Sequence, residues 1–372
     1  MKFLKSFFKW FAIVLASIIV LMYIFDVDYL LRAVRTIYFK GYTTAFLEDY
    51  KDFPNREIKK GIAQPWAIAK DYNSVDATSI LETTHKELQT AAFLIIQNDS
   101  LFHESYFDGY TKGSKSNSFS MAKSVITMAL GKAIMEGKIK NLDQKVIDFL
   151  PELKGEFAKE VTVGDLSSMA SGLNWDEKYY SPLSIVTRAY FDDDLREVML
   201  GLEINEKPGQ SFKYLSGATQ LLAMCIEKAT GEYVADYVSK HFWQPMGAEN
   251  EALWQLDHED DGIEKAYCCI ASNARDFARF GKLYLNNGNW NGKQILDSTF
   301  VKKTITPRFS NYPEYGYGWW LHSINEKDLY YMRGHLGQFV IVIPQDNLII
   351  VRLGHLKGLQ TETDPHSNDL YV

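Results

Sequence analysis

The sequence predicts an α+β fold. One antiparallel sheet is built from both ends of the chain, helices flank it, a mostly helical lobe is inserted, and a membrane helix precedes the whole. Three observations predict it. Strand-like segments lie near residue 100 and again after residue 315, so the two chain ends share one kind of structure. Between them, residues 161–296 read as helices punctuated by Gly172, Gly209, Gly231 and Gly247. Ahead of everything, residues 11–25 are apolar apart from Ser17.

In order along the chain, Lys2, Lys5 and Lys9 flank the start of the apolar run, and no small-x-small cleavage site follows it. Its length suits a single span, with Tyr23 and Phe25 at the interface, so residues 1–26 are expected to be an uncleaved transmembrane anchor. Arg32, Arg35 and Lys40 follow on the other side. Orientation therefore rests on the early lysines, which place the body on the periplasmic or extracellular side of the cell membrane. Residues 27–85 read as an ordered lead-in with a helix near 80–88, and the main domain as 86–372, its helical lobe at about 156–300. Residues 93–97, the turn Asn98-Asp99 and residues 101–107 form a β-hairpin.

A helix then carries Ser120 near its start. Val125, Met128, Ala129 and Ala133 recur at helical spacing, Ile126, Leu130 and Ile134 widen the stripe, and Gly137 closes it. Pro151 ends the next short element. Further helices are expected at 163–169, 183–202, 218–230, 233–242 and 274–285. Strands are expected at 315–321, 329–332, 339–343 and 348–353, with Asp346-Asn347 in a turn. A cleft between sheet and lobe is the default site.

Composition narrows the function. The 372 residues are 46% hydrophobic and 23% charged, which is globular rather than disordered. A net charge of −7 with no basic run argues against a nucleic-acid partner. Cys225 and the adjacent pair Cys268-Cys269 supply neither a disulfide framework nor a zinc site, and the pair reads as packing. The histidines have no ligand spacing, so no metal site is expected.

Three motifs carry chemistry. Ser120 and Lys123 lie one turn apart on one helix face. A serine at a helix N-terminus has backbone N–H groups near a developing oxyanion, and a buried lysine has a lowered pKa and can accept the serine proton. The spacing alone is cheap: Ser6-Phe7-Phe8-Lys9 repeats it beside the anchor, and serine is a common helix cap. Tyr214, after the Pro208-Gly209 turn and before a helix, can bring a phenol to Ser120; it shuttles a proton if cationic neighbours lower its pKa. Tyr72 and Tyr180 match the same Tyr-x-Ser pattern, and Tyr180 competes because it lies in the helical lobe. The third motif is Arg333-Gly334-His335-Leu336-Gly337-Gln338, entering an apolar strand. Gly337 allows close approach of a ligand, and the Gln338 N–H is a candidate second oxyanion donor. His335 reads equally as a substrate contact or a structural histidine. Trp175, Tyr180 and Trp319 are candidate pocket walls.

Together these motifs make the sequence resemble the serine-reactive β-lactamase superfamily, most closely class C-like esterases and 6-aminohexanoate-dimer hydrolases, over about residues 93–353. Leu166-Ser167-Ser168-Met169-Ala170-Ser171-Gly172-Leu173 and Trp243-Gln244-Pro245-Met246-Gly247-Ala248 are similar to segments of that family. The resemblance implies a β-lactamase/transpeptidase-like fold and an acyl-enzyme mechanism without metal or cofactor. It implies Ser120 as nucleophile, Lys123 and Tyr214 as the proton-transfer pair, and His335-Leu336-Gly337 in the place of Lys-Thr-Gly. Histidine in place of lysine argues against β-lactam specificity. The family's closing C-terminal helix has little chain left to form it beyond Ser367-Asn368-Asp369-Leu370-Tyr371-Val372. The expected activity is hydrolysis of a small-molecule ester or amide by a membrane-anchored enzyme. The rivals are a β-lactamase or cell-wall D-alanyl-D-alanine peptidase, and a non-catalytic binding protein of the same fold. Oligomeric state is not legible.

Overall fold

Helix α1 (Lys2–Ile24) opens the computed structural model, which describes residues 2–358; Ser367–Val372 lie outside the described residues. At 1.5 Å per residue a helix of this length spans about 34 Å, matching a hydrocarbon core of about 30 Å. None of its apolar stretch is buried within the protein, so its outer surface suits lipid. A turn at Asp26 leads to α2 (Tyr29–Thr36), which packs Tyr29, Ala33 and Thr36 against the body. Arg32 ties it down by donating to the Asp257 carbonyl oxygen at 2.8 Å.

The chain continues through β1 (Asn55–Ile58), β2 (Ala67–Ile68), α3 (Ser79–Glu87) and the hairpin β3 (Thr90–Gln97) and β4 (Ser100–Tyr106). Then come β5 (Ser116–Asn117), α4 (Ala122–Met135), α5 (Val163–Ser167), α6 (Ile185–Phe191), α7 (Leu195–Leu200), α8 (Ser216–Thr230) and α9 (Val234–Val238). β6 (Ala252–Gln255), β7 (Ile270–Ser272), α10 (Ala274–Leu285), the short pair β8 (Asn289–Trp290) and β9 (Lys293–Gln294), and α11 (Ser298–Thr304) follow. The C-terminal strands are β10 (Trp320–Ile324), β11 (Lys327–Gly334), β12 (Gln338–Ile343) and β13 (Leu348–Gly354).

The sheet from both chain ends is present. Its order is β10-β11-β12-β13-β3-β4-β2, antiparallel except for the β2–β4 pair. β13 closes against β3, pairing Ile350 with Ile95 and Val351 with Leu94. β3, β12 and β13 are buried on both faces, which is why they read as apolar runs rather than alternating ones. α10 lies across β3, β12 and β13, its start fixed by Asn273, whose side chain accepts from the Asp276 N–H at 2.9 Å. α4 is buried on nearly every side, in the same core as α8 and the sheet.

Four expectations need correction. The middle of the chain holds strands as well as helices: β6 and β7 join β1 and β5 in a four-stranded sheet ordered β1-β6-β7-β5. These strands are two to four residues long, too short for an alternating pattern to show. The helix expected at 183–202 is two helices, because Asp192 has extended backbone and Asp194 caps α7 by accepting from the Glu197 N–H. That expected at 233–242 passes from α9 into a π-turn at Ser239–Trp243. The first C-terminal strand starts at Trp320 rather than Tyr315, because Gly318 has φ 75° and breaks the extended run.

Candidate active site

Ser120 sits in a single 3₁₀ turn, Phe119–Met121, leading directly into α4. The small sheet delivers it there. Ser118 donates its N–H to Ile270 O at 2.7 Å, and the Ser118 hydroxyl accepts from Ile270 N at 3.1 Å. Asn117 accepts the Phe119 N–H at 2.8 Å and donates to Asp49 at 2.9 Å. Those bonds hold Phe119 at φ 45°, a left-handed conformation that a bulky residue seldom adopts. Its ring is fixed in a small cluster with Leu47, Ala91 and Leu336. Gly334, at the end of β11, lies so close that a Cβ there would overlap the Ser118 carbonyl oxygen.

Lys123 donates to Ser120 Oγ at 2.9 Å and to the Tyr267 carbonyl oxygen at 2.8 Å. Burial lowers its pKa from 10.5 to about 8, with the Glu177 carboxylate pulling the other way. The Tyr214 hydroxyl lies within reach of Ser120. Its pKa is not lowered, as a phenolate shuttle would require. Burial raises it and the Glu177 carboxylate adds to the rise, with Ser120 and Arg333 opposing it. The lysine is thus the group able to accept a proton near neutral pH, and the phenol holds one.

Two cavities meet at Ser120. One, of about 350 Å³, has a largely apolar wall that includes Phe119, Tyr190 and Phe191. The other, about 770 Å³, is an open cleft lined by Glu177, Tyr214, Trp320, Arg333 and Gly334, among others. Tyr179, Tyr180, Ser181 and His335 line both. His335 stacks on Tyr179 with ring centroids 5.6 Å apart and meets Phe119 edge-on. Burial pushes its pKa down to about 4, and its buried Nε2 has no hydrogen-bond partner.

Other expected residues lie elsewhere. The hairpin brings Gly334 and His335 to the cleft rather than Gly337 and Gln338. Leu336 and Gly337 have φ of 62° and 80°, which turns the chain back so that Arg352 donates to both of their carbonyl oxygens. Gln338 is fully buried in β12, its amide bonded to His335 O at 3.0 Å and Gly354 O at 2.7 Å. Trp175 is buried behind the site and donates to Glu177 at 3.0 Å. Trp319 is buried against Tyr284, and Trp320 is the one at the cleft, because consecutive positions entering a strand face opposite ways.

Three participants went unread. Glu177 accepts from the Trp175 indole, the Ser216 hydroxyl and the Ser216 N–H. Tyr179 lines both cavities and stacks on His335, and burial together with the Glu177 carboxylate raises the pKa of its phenol. Tyr267 acts through its carbonyl, which no side-chain motif encodes. Finally, Cys268 and Cys269 are joined by a disulfide, contrary to the reading of simple packing; Cys269 has φ 78° in the turn just after Tyr267.

The family described as Beta-lactamase matches residues 77–368. The 6-aminohexanoate-dimer hydrolase of Paenarthrobacter ureafaciens is 26% identical over 312 residues, covering 76% of this chain and 78% of that one. Protein flp of Staphylococcus aureus (strain MW2) is 22% identical over 72% of this chain, which spans 60% of its length. In fold, the chain resembles a Bacillus anthracis structure described as a 6-aminohexanoate-dimer hydrolase, with TM-score 0.68, 24% identity and coverage of 87% and 88%. On a match that takes in both the Ser120 turn and the closing strands of the sheet, this chain belongs to the Beta-lactamase family and is a serine hydrolase of that superfamily.

Proposed function

We propose that the protein is a membrane-anchored serine hydrolase that cleaves an ester or amide through an acyl-enzyme on Ser120, its body on the outer side of the membrane. The contact of Lys123 Nζ with Ser120 Oγ at 2.9 Å carries this reading. Neutral Lys123 takes the Ser120 proton as Oγ attacks the carbonyl carbon. Tyr214 gives its proton to the departing oxygen or nitrogen, and the Lys123 ammonium makes good that loss. Water then cleaves the acyl-enzyme by the reverse relay, freeing the acid and Ser120. Helix α1 supports the anchoring, being long and apolar enough to cross a membrane.

A second reading, a carboxylate-bearing β-lactam or peptide substrate, draws on Lys178, Arg333 and Lys357 lining the open cleft. Against it, His335 is neutral at pH 7 and offers no charge-assisted bond. The test is acylation of the full chain in detergent, followed by intact mass, with short aryl esters and a penicillin compared side by side. Ester turnover with kcat/KM well above that for penicillin, abolished in Ser120→Ala, is expected. Equal or faster penicillin turnover would favour the second reading, and no adduct with any substrate or covalent serine probe would leave only a binding role.

A further inference from the structure

The two cavities differ in chemistry and in where they lead. The smaller one starts at Ser120 and extends to Met22 near the end of α1 and to Ala33, Val34 and Ile37 beside and on α2. α2 is a fixed wall, since Tyr29 and Ala33 are buried and Arg32 bonds to the body. The membrane helix ends two residues beyond Met22, with Tyr23 and Phe25 exposed there. The far end of the cavity is therefore at the level of the lipid interface when α1 spans the bilayer. The open cleft, which also meets Ser120, is lined by aromatic rings and by one carboxylate, Glu177, against three cations, Lys178, Arg333 and Lys357.

Tyr214 decides which half of a substrate goes where. It lines the open cleft and not the apolar cavity. A leaving group that receives its proton from Tyr214 must sit in the open, charge-bearing cleft, so the acyl group occupies the apolar cavity. We propose that the substrate is an amphiphilic acyl ester taken from the membrane, with its acyl chain entering beside α1 and α2 and its polar alcohol held in the cationic cleft. This rests on the serine-hydrolase reading above. The acyl–oxygen bond breaks as the Ser120 Oγ–acyl bond forms, the alcohol leaves protonated, and water releases a fatty acid.

The test uses the full chain in vesicles of ether phospholipid, with p-nitrophenyl esters of two to twelve carbons and lysophosphatidylglycerol as probes. kcat/KM should rise about fourfold per added methylene until the cavity is full, the ordinary transfer increment for a buried methylene. Fatty acid should be released from lysophosphatidylglycerol in the vesicles. Ala33→Phe and Val34→Trp fill the cavity from its wall, and Val34 is exposed enough to accept the larger ring. Each should lower the ratio of dodecanoyl to butyryl ester kcat/KM at least tenfold. Acetyl ester turnover with no gain from length, or an unchanged ratio in both variants, would overturn the proposal and leave the hydrolase reading intact. Turnover of long soluble esters without release from vesicles would overturn the membrane source. Absence of any Ser120 acylation would overturn the hydrolase reading, and the proposal with it.

Discussion

The pH dependence of acylation tests the assignment of Lys123 as base. A lysine at its ordinary pKa of 10.5 is neutral in only about three molecules in ten thousand at pH 7. Burial brings Lys123 to about 8, where about one in ten is neutral. The roughly 300-fold gain in competent enzyme corresponds to about 3.4 kcal/mol. The assay is pre-steady-state acylation by an uncharged aryl ester between pH 5.5 and 10. The expected log rate climbs with unit slope and levels off above about pH 8. Glu177 opposes the lowering of the Lys123 pKa, so Glu177→Gln should move the limb to lower pH while its amide oxygen keeps the Ser216 N–H bond. Lys123→Arg keeps the charge but cannot shed a proton, and acylation should fall by about 10² to 10⁴. A flat profile across that range would refute the reasoning. A limb above pH 10 would instead make Tyr214, as phenolate, the base.

Tyr214→Phe should cut turnover by about 10² or more. Tyr180→Phe, at an exposed ring lining both cavities, should act mainly on KM; losses in the chemical step at Tyr180 alone would mean the wrong tyrosine is assigned. Asp49 is fully buried, and burial raises its pKa from 3.8 to about 6, so the folded state holds its proton more tightly than the unfolded chain. Its contribution is therefore lost as pH rises through that window. Relative to Asp49→Asn, the wild type should lose about 2 kcal/mol between pH 4 and pH 8 in urea titrations, and a constant difference would refute this. Deleting residues 1–26 should leave a soluble, folded, active protein. Deleting residues 1–40 also removes buried Tyr29 and Ile37 and should cost about 3 to 6 kcal/mol, read as a fall in Tm.

Local pattern by itself determined much of this protein. The 93–107 hairpin, the buried Ser120 helix, the strands after residue 327 and the apolar N-terminal helix follow from periodicity and turn residues, which act over a few positions. Ser120 and Lys123 are close because one helical turn separates them, so their contact needed no tertiary information. What only the tertiary structure decided depends on long-range approach. It set which tyrosine lies at Ser120, and that Asp49 steadies the Ser120 turn through Asn117. It placed Glu177 within electrostatic reach of Lys123, made a backbone carbonyl at Tyr267 the second lysine partner, and turned Gln338 away from the cleft. Burial, which lowers Lys123 and raises Tyr214, belongs to the assembled core and not to either motif. The apolar cavity is of the same kind. Its walls come from α2, the 179–191 region and the Ser120 turn, segments remote in sequence that only the fold brings together.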